Sequence, residues 1–284
     1  MPDAPARSDR PAPVGVDPTR ASIARVYDAF LNGKDNYEID RDVLHKVQQA
    51  APEAQDLATE NRGFLIRACR FLASQTSITQ YLDLGSGLPT AENTHHVVQR
   101  INPESTVVYV DNDPVVLAHG RALLEENDHT HFVADDIFEP DALLQNEEIR
   151  RHIDFSQPLV VLQMGTLHHY TGTRAEAAAI MRKYIDAMPS GSYAGISHFL
   201  DPENELSKTA REMEKFFIHS PMGSGSFATK PEIEALFGDL EMVDTSVLGN
   251  PGVSLCADWW PDGPRLKELN AAQRTIAGGV GRKK

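Results

Sequence analysis

Apolar positions fall into two regimes along this 284-residue chain. Up to about residue 75 they recur at helical spacing. Ile23, Val26, Tyr27, Phe30 and Leu31 sit at i, i+3, i+4, i+7 and i+8, which predicts an amphipathic helix over Ser22–Leu31, ended by Asn32-Gly33. A second helix is predicted from about Asp40 to Ala50. A third runs from about Asp56 to Ala73, with the stripe Leu65, Ala68, Cys69 and Leu72. From residue 78 the pattern changes to short apolar, often β-branched runs separated by helical segments. Ile78–Leu84, Thr106–Val110, His131–Ala134, Leu159–Met164 and Ser192–Phe199 predict five strands. Helices are predicted over Thr90–Ile101, from Pro114, and over Pro140–Arg151, Thr173–Met188, Glu203–Ile218 and Lys230–Phe237. Leu240–Leu248 and Val253–Trp260 read as two last strands joined through Asn250-Pro251-Gly252. Strands alternating with helices predict an α/β fold with a Rossmann-like, doubly wound parallel sheet. The expected organisation is a disordered tail over 1–17, an N-terminal helical lid over 18–75, an α/β domain over 76–265 and a C-terminal tail over 266–284.

Ligands of such sheets sit outside the carboxyl ends of the strands, so the residues at those ends come first. Strand one ends in Asp83-Leu84-Gly85-Ser86-Gly87. Gly85 can take positive φ at the turn, and Gly87 lets a ligand approach the backbone. Strand two ends at Asp111, 24 residues beyond Gly87, with Asn112 beside it. An acidic residue at that distance suits a ribose diol. Strand three offers Asp135 and Asp136 for an exocyclic amine, with the spacing from Phe132 favouring Asp136. Strand four offers Met164, Gly165 and Thr166. Carboxylates at several strand ends above a glycine floor repel a diphosphate and suit a nucleoside with a cationic arm.

Asp83-Leu-Gly-Ser-Gly, Val110-Asp-Asn-Asp-Pro, Phe132-Val-Ala-Asp-Asp136 and Leu167-His-His together resemble motifs of class I S-adenosylmethionine-dependent methyltransferases. Ala24-Arg-Val-Tyr-Asp28, Gly33-Lys-Asp-Asn-Tyr37 and Asn61-Arg62-x-Phe64 are similar to one mainly actinobacterial family of these enzymes, long classed as a domain of unknown function. The resemblance covers about Ser22 to Trp260. It implies a seven-stranded sheet of order 3-2-1-4-5-7-6 with the last strand antiparallel, and S-adenosylmethionine as cofactor; it supplies no substrate. Pro89 stands where the usual pattern has a third glycine. Proline is acceptable in a first helical turn and removes one N–H from the ligand's side.

Tyr27, Lys34, Asn36, Asn61 and Arg62 are polar groups beside apolar stripes. They are expected to close the site over the methionine end, Arg62 pairing with its carboxylate; the alternative is helix-surface pairing, with Asn36 shaping a turn. His168 and His169 are candidates for a general base. The alternative is that one packs under the loop and the other caps or faces solvent; methyl transfer from an activated sulfonium needs no strong base, because positioning supplies most of the rate. Trp259-Trp260 reads as edge packing or one wall of a substrate pocket.

Composition narrows the class further. The net charge of −14 argues against nucleic-acid partners. No apolar run approaches the roughly 18 residues of a membrane span. Cys69 and Cys256 show no metal-ligand spacing, so no metal is expected, and free thiols suit a cytoplasmic location. The expectation is a methyltransferase acting on a small molecule, as a monomer or homodimer. A nicotinamide-dependent oxidoreductase is disfavoured by the incomplete glycine motif and by Asp83. A non-catalytic sensor of the same cofactor is the other alternative.

Overall fold

The computed structural model describes residues 16–89, 92–123, 127–245 and 252–284. The tail expected over 1–17 lies outside them except for its last two residues, as do the expected Asn250-Pro251 turn and residues 246–248 of an expected strand.

Five parallel strands carry the β-branched runs: β1 (Gln80–Leu84), β2 (Thr106–Asp111), β3 (Thr130–Ala134), β4 (Val160–Met164) and β5 (Tyr193–Phe199). Three further strands, β6 (Glu241–Met242), β7 (Ser254–Leu255) and β8 (Ile276–Arg282), complete an eight-stranded sheet. Its order is β3-β2-β1-β4-β5-β8-β6, with β7 also paired to β8. β8 runs antiparallel to β5, β6 and β7. Alternate residues feed two cores. Tyr81, Val107, Tyr109, Val160 and Leu162 face one side; Leu82, Leu84, Val108, Val110 and Val161 face the other. Both faces are covered, as the near-continuous apolar strands require.

The order agrees with the expected 3-2-1-4-5-7-6, but the antiparallel strand is a different segment. Residues 276–282, expected within a C-terminal tail, supply it, and Val253–Trp260 forms only the short β7 and a 3-10 turn. Ile-Ala-Gly-Gly-Val-Gly-Arg is glycine-rich and reads poorly as a strand. Tertiary packing reverses that preference. A Cβ on Gly278 would lie 2.7 Å from the Phe64 ring and 2.9 Å from the Ile196 carbonyl, and one on Gly281 would lie 2.8 Å from Leu240. Glycine is what lets β8 pass between its neighbours.

The N-terminal layer is α1 (Ile23–Phe30), α2 (Glu38–Val47) and α3 (Gln55–Gln75). Ser22 caps α1 by accepting from Arg25 N. The buried Arg25 Nε–Asp40 Oδ2 pair, at 2.8 Å, joins α1 to α2. Along α3, Phe64 and Phe71 meet Trp259 edge-on at 5.3 and 5.6 Å, and Phe71 meets Trp260 at 5.1 Å. The tryptophan pair thus packs on α3 and does not line the cleft described below. The remaining helices are α4 (Thr94–Gln99), α5 (Pro114–Leu123), α6 (Pro140–Leu143), α7 (Glu147–His152), α8 (Arg174–Ala187), α9 (Ser207–Ile218) and α10 (Lys230–Ala235). The single helix expected over 140–151 is broken because Asn146 caps α7, accepting from Glu148 N at 2.9 Å. Among the described residues no helix is long and apolar enough to cross a membrane.

Candidate functional site

Strand order reverses beside β1, so the chain leaves β1 and β4 in opposite directions and a crevice opens at their carboxyl ends. A cleft of about 440 Å³ lies there, floored by the strand ends and roofed by α1 and α3.

The two glycines after β1 have different jobs. Gly85 (φ 77°) is packed: a Cβ there would lie 2.5 Å from Thr166 Cγ2. Gly87 (φ 65°) faces open space, with nothing within 4 Å of a Cβ. Asp111 holds the turn from β2. Its Oδ2 accepts from Gly87 N at 2.9 Å and its Oδ1 from Asp113 N at 2.9 Å. Burial pushes its carboxyl up to about 6, against the opposing pull of those backbone donors. Asp83 is buried and accepts from Thr94 Oγ1 at 2.6 Å. Burial raises its pKa too, with the Thr94 hydrogen bond and the Arg62 charge opposing.

Asp135 and Asp136 both line the cleft but differ in spare capacity. Asp135 accepts from Asp136 N at 2.8 Å through one oxygen and from Asn146 Nδ2 at 2.7 Å through the other. Asp136 accepts from Phe138 N at 2.9 Å through Oδ1. Asn112, Met164, Gly165 and Thr166 complete the floor.

In the roof, Tyr27 donates to the Ala58 carbonyl at 3.2 Å and accepts from Asn61 Nδ2 at 3.0 Å. Asn61 Oδ1 accepts from Ser197 on β5. One α3 side chain thus ties α1 to β5. Arg62 donates to the Glu92 carbonyl and, at 3.3 Å, to Asn93 Oδ1. Its Nε is buried with no partner, as is Ser86 Oγ.

Asn36 and Lys34 do not line the cleft. The expectation for Asn36 is corrected by its partners. Its amide donates to Asp28 Oδ2 at 2.7 Å and Gly33 O at 3.1 Å, and its Oδ1 accepts from Arg41 at 2.9 Å. The 33–37 segment is thus wound around buried Asp28, and a Cβ on Gly33 would lie 1.9 Å from that carboxylate. The two histidines also separate. His168 is buried with its ring stacked on Phe199 at 3.6 Å; it is absent from the cleft wall. His169 lines the cleft, its Nδ1 paired with Ser224 Oγ at 3.0 Å. Burial lowers the His169 pKa to about 3, helped by His198, and holds His168 well below the usual imidazole range. Burial thus favours the neutral form of both rings.

Sequence reasoning passed over Ile137 and Phe138, which wall the cleft after β3, and Ile23 and Leu65, read only as core stripes. The apolar pair directly following Asp136 was the available signal for the first two.

A seven-position path of 3-2-1-4-5, an antiparallel strand and 6, with carboxylates at the β1, β2 and β3 ends, is a Rossmann-like α/β arrangement. A family model described as S-adenosyl methyltransferase matches residues 9–284. The chain belongs to this family, and it is an S-adenosylmethionine-dependent methyltransferase. A Thermobifida fusca YX protein, provisionally assigned as a methyltransferase, is 40% identical with a TM-score of 0.87, over 96% of this chain and 98% of that one. A DUF574-family protein from Streptomyces avermitilis MA-4680 is 30% identical with a TM-score of 0.85, over 94% and 99%. No curated protein matches the chain.

Proposed function

We propose that the cleft holds S-adenosylmethionine and that the methyl group goes to a small-molecule acceptor. The observation that carries the reading is a charge pattern. Carboxylates of Asp83, Asp111 and Asp136 share one cleft with a guanidinium, Arg62, whose buried Nε has no partner. The pattern complements a ligand with an ammonium, a ribose diol, an adenine amine and a carboxylate.

The residues present fit the cofactor. Gly87 leaves space where a Cβ would stand, so a nucleoside can lie against the turn. Asp111 keeps lone pairs on both oxygens beyond its two backbone donors, enough for two ribose hydroxyls. Asp136 has the spare acceptor for the adenine amine, and Ile137 and Phe138 supply apolar contact for the base. Asp83 faces the ammonium and Arg62 Nε the carboxylate. Tyr27 and Asn61 close the roof and exclude water. When bound, the cofactor supplies an electrophilic methyl on a sulfonium that is already activated. The protein's task is then to orient and desolvate the acceptor, and positioning supplies much of the rate.

Titration calorimetry with S-adenosylmethionine, S-adenosylhomocysteine and NAD tests this reading. The expected result is binding of the first two and none of NAD; NAD binding without either sulfur ligand would overturn it. A nicotinamide dinucleotide would bring its diphosphate against Asp83 and Asp111, the wrong sign of charge.

A further inference from the structure

A second cavity adjoins the cleft and shares Ile23, Tyr27, Asn61 and His169 with it. It lies under α1, and as it stands its volume is about 30 Å³, room for little more than a water. Its composition contrasts with that of the cleft. None of the described residues lining it is Asp, Glu, Lys or Arg, and burial favours the neutral form of its two histidines. Phe199 is the centre of an aromatic slab. The His168 ring lies 3.6 Å away at 11°, and Phe217 lies 5.3 Å away at 18°. Its polar side chains are few: Tyr27, Asn61 and His169 at the edge shared with the cleft, and His168, whose Nδ1 is buried without a partner.

These walls select their occupant. A charged group moved here would lose its hydration with no counter-ion to replace it. A flat ring would extend a stack of near-parallel rings, and a single hydroxyl could be hydrogen-bonded at the polar edge that Tyr27, Asn61 and His169 form where the two cavities meet. Two apolar lining residues reach the surface: Ile23 on α1 is 40% exposed, and Met222 is half-buried.

We propose that this pocket seats the methyl acceptor, an uncharged aromatic compound bearing a hydroxyl group, with the hydroxyl at the junction beside Asn61 and His169. The proposal rests on the reading that the neighbouring cleft holds the methyl donor. Because the cavity as it stands has room for little more than a water, seating a ring requires α1 and the Met222 turn to move apart. Its oxygen provides the electron pair of the new carbon–oxygen bond while the carbon–sulfur bond breaks onto sulfur. The proton then passes from the positively charged oxygen to neutral His169. Burial makes this imidazole a weak base, but a three-bonded oxonium is a far stronger acid than imidazolium, so the transfer runs downhill.

The test uses the full chain and two probes, 1-naphthol and its charged relative 1-hydroxy-2-naphthoate. The protein is first titrated with S-adenosylhomocysteine, and each probe is then added to the saturated complex. The proposal expects 1-naphthol to bind that complex and the carboxylate to bind at least about tenfold more weakly. Met222→Trp and Ala58→Leu, which fill the pocket, should each weaken 1-naphthol by at least about tenfold and leave S-adenosylhomocysteine unchanged. Met222 is a half-buried loop position, so it decides the matter even if Ala58→Leu fails to fold. Failure of 1-naphthol to bind, competition between it and S-adenosylhomocysteine, equal binding of the charged probe, or indifference to both substitutions overturns the proposal. Failure of S-adenosylhomocysteine to bind the unmodified chain overturns the cofactor reading itself, and this proposal with it.

Discussion

On the floor of the cleft, most carboxylates take a backbone donor one or two residues on, and the longest link, Gly87 N to Asp111, joins the ends of two adjacent parallel strands. Asp111 takes Asp113 N, Asp136 takes Phe138 N, and Asp135 takes Asp136 N. In the roof the partners are distant in the chain. Tyr27 meets residues 31 and 34 positions away, Arg62 one 30 away, and Asn61 reaches Ser197 across 136 positions. Floor geometry therefore follows from local turns and the pairing of neighbouring strands, whereas roof geometry exists only once α1 and α3 have packed on the sheet. Perturbing the floor should abolish recognition while leaving the fold intact. Perturbing the roof should change which part of a ligand is recognised.

Gly87→Val should have the largest effect. The branched side chain projects into space that a nucleoside needs, at a positive φ that valine resists. Affinity for S-adenosylhomocysteine should fall by more than about 100-fold with the circular dichroism spectrum unchanged. Normal binding would reduce Gly87 to a turn residue.

Arg62→Ala should come next and divide two ligands. S-adenosylhomocysteine should lose about 1.5–3 kcal/mol, the scale of a hydrogen bond to a charged group. Adenosine, which has no carboxylate, should bind as before. Equal losses for both would make the roof a folding element only.

Asp111→Ala should cost about 1–3 kcal/mol of cofactor affinity, read by calorimetry, since two ligand hydroxyls and two backbone donors lose their acceptor. The same carboxylate should give the floor a pH signature. Its pKa is raised to about 6 in the ligand-free protein, and hydroxyl donors favour its ionised form. Affinity should be full above that value and fall as pH drops through it, approaching about tenfold per pH unit. Asp111→Asn should flatten this fall; an unchanged profile would assign the titration to Asp83.

The smallest effect is expected at Asn36. Asn36→Ala should leave S-adenosylhomocysteine affinity unchanged while lowering stability by about 1 kcal/mol, because buried Asp28 loses one of its donors. A drop in affinity with unchanged stability would return Asn36 to the site.

Much of the floor was legible before folding. β-branched runs, the Gly85-Ser-Gly87 break and the acidic residue after each run are local signals, and a parallel sheet puts all such ends on one edge. The preference for Asp136 over Asp135 came from spacing; that Asp135 has both oxygens engaged, one of them by Asn146, is visible only in the structure. The roof was legible in part. Tyr27, Asn61 and Arg62 stood out as polar groups on apolar stripes, but so did Asn36, and sequence gives no means of telling a polar side chain aimed at a cleft from one consumed by a buried carboxylate such as Asp28.

The sequence by itself determined the alternation of strand and helix, the edge on which ligands sit and the sign of charge along it, because each follows from periodicity and from residues adjacent in the chain. The tertiary structure alone decided three things. It placed the glycine-rich 276–282 segment in the sheet beside Phe64 and Leu240. It sent His168 behind the cleft wall and His169 into it. It left Arg62 Nε buried without a partner. Each depends on which distant atoms share a volume, and side-chain type leaves that undetermined until the chain has packed.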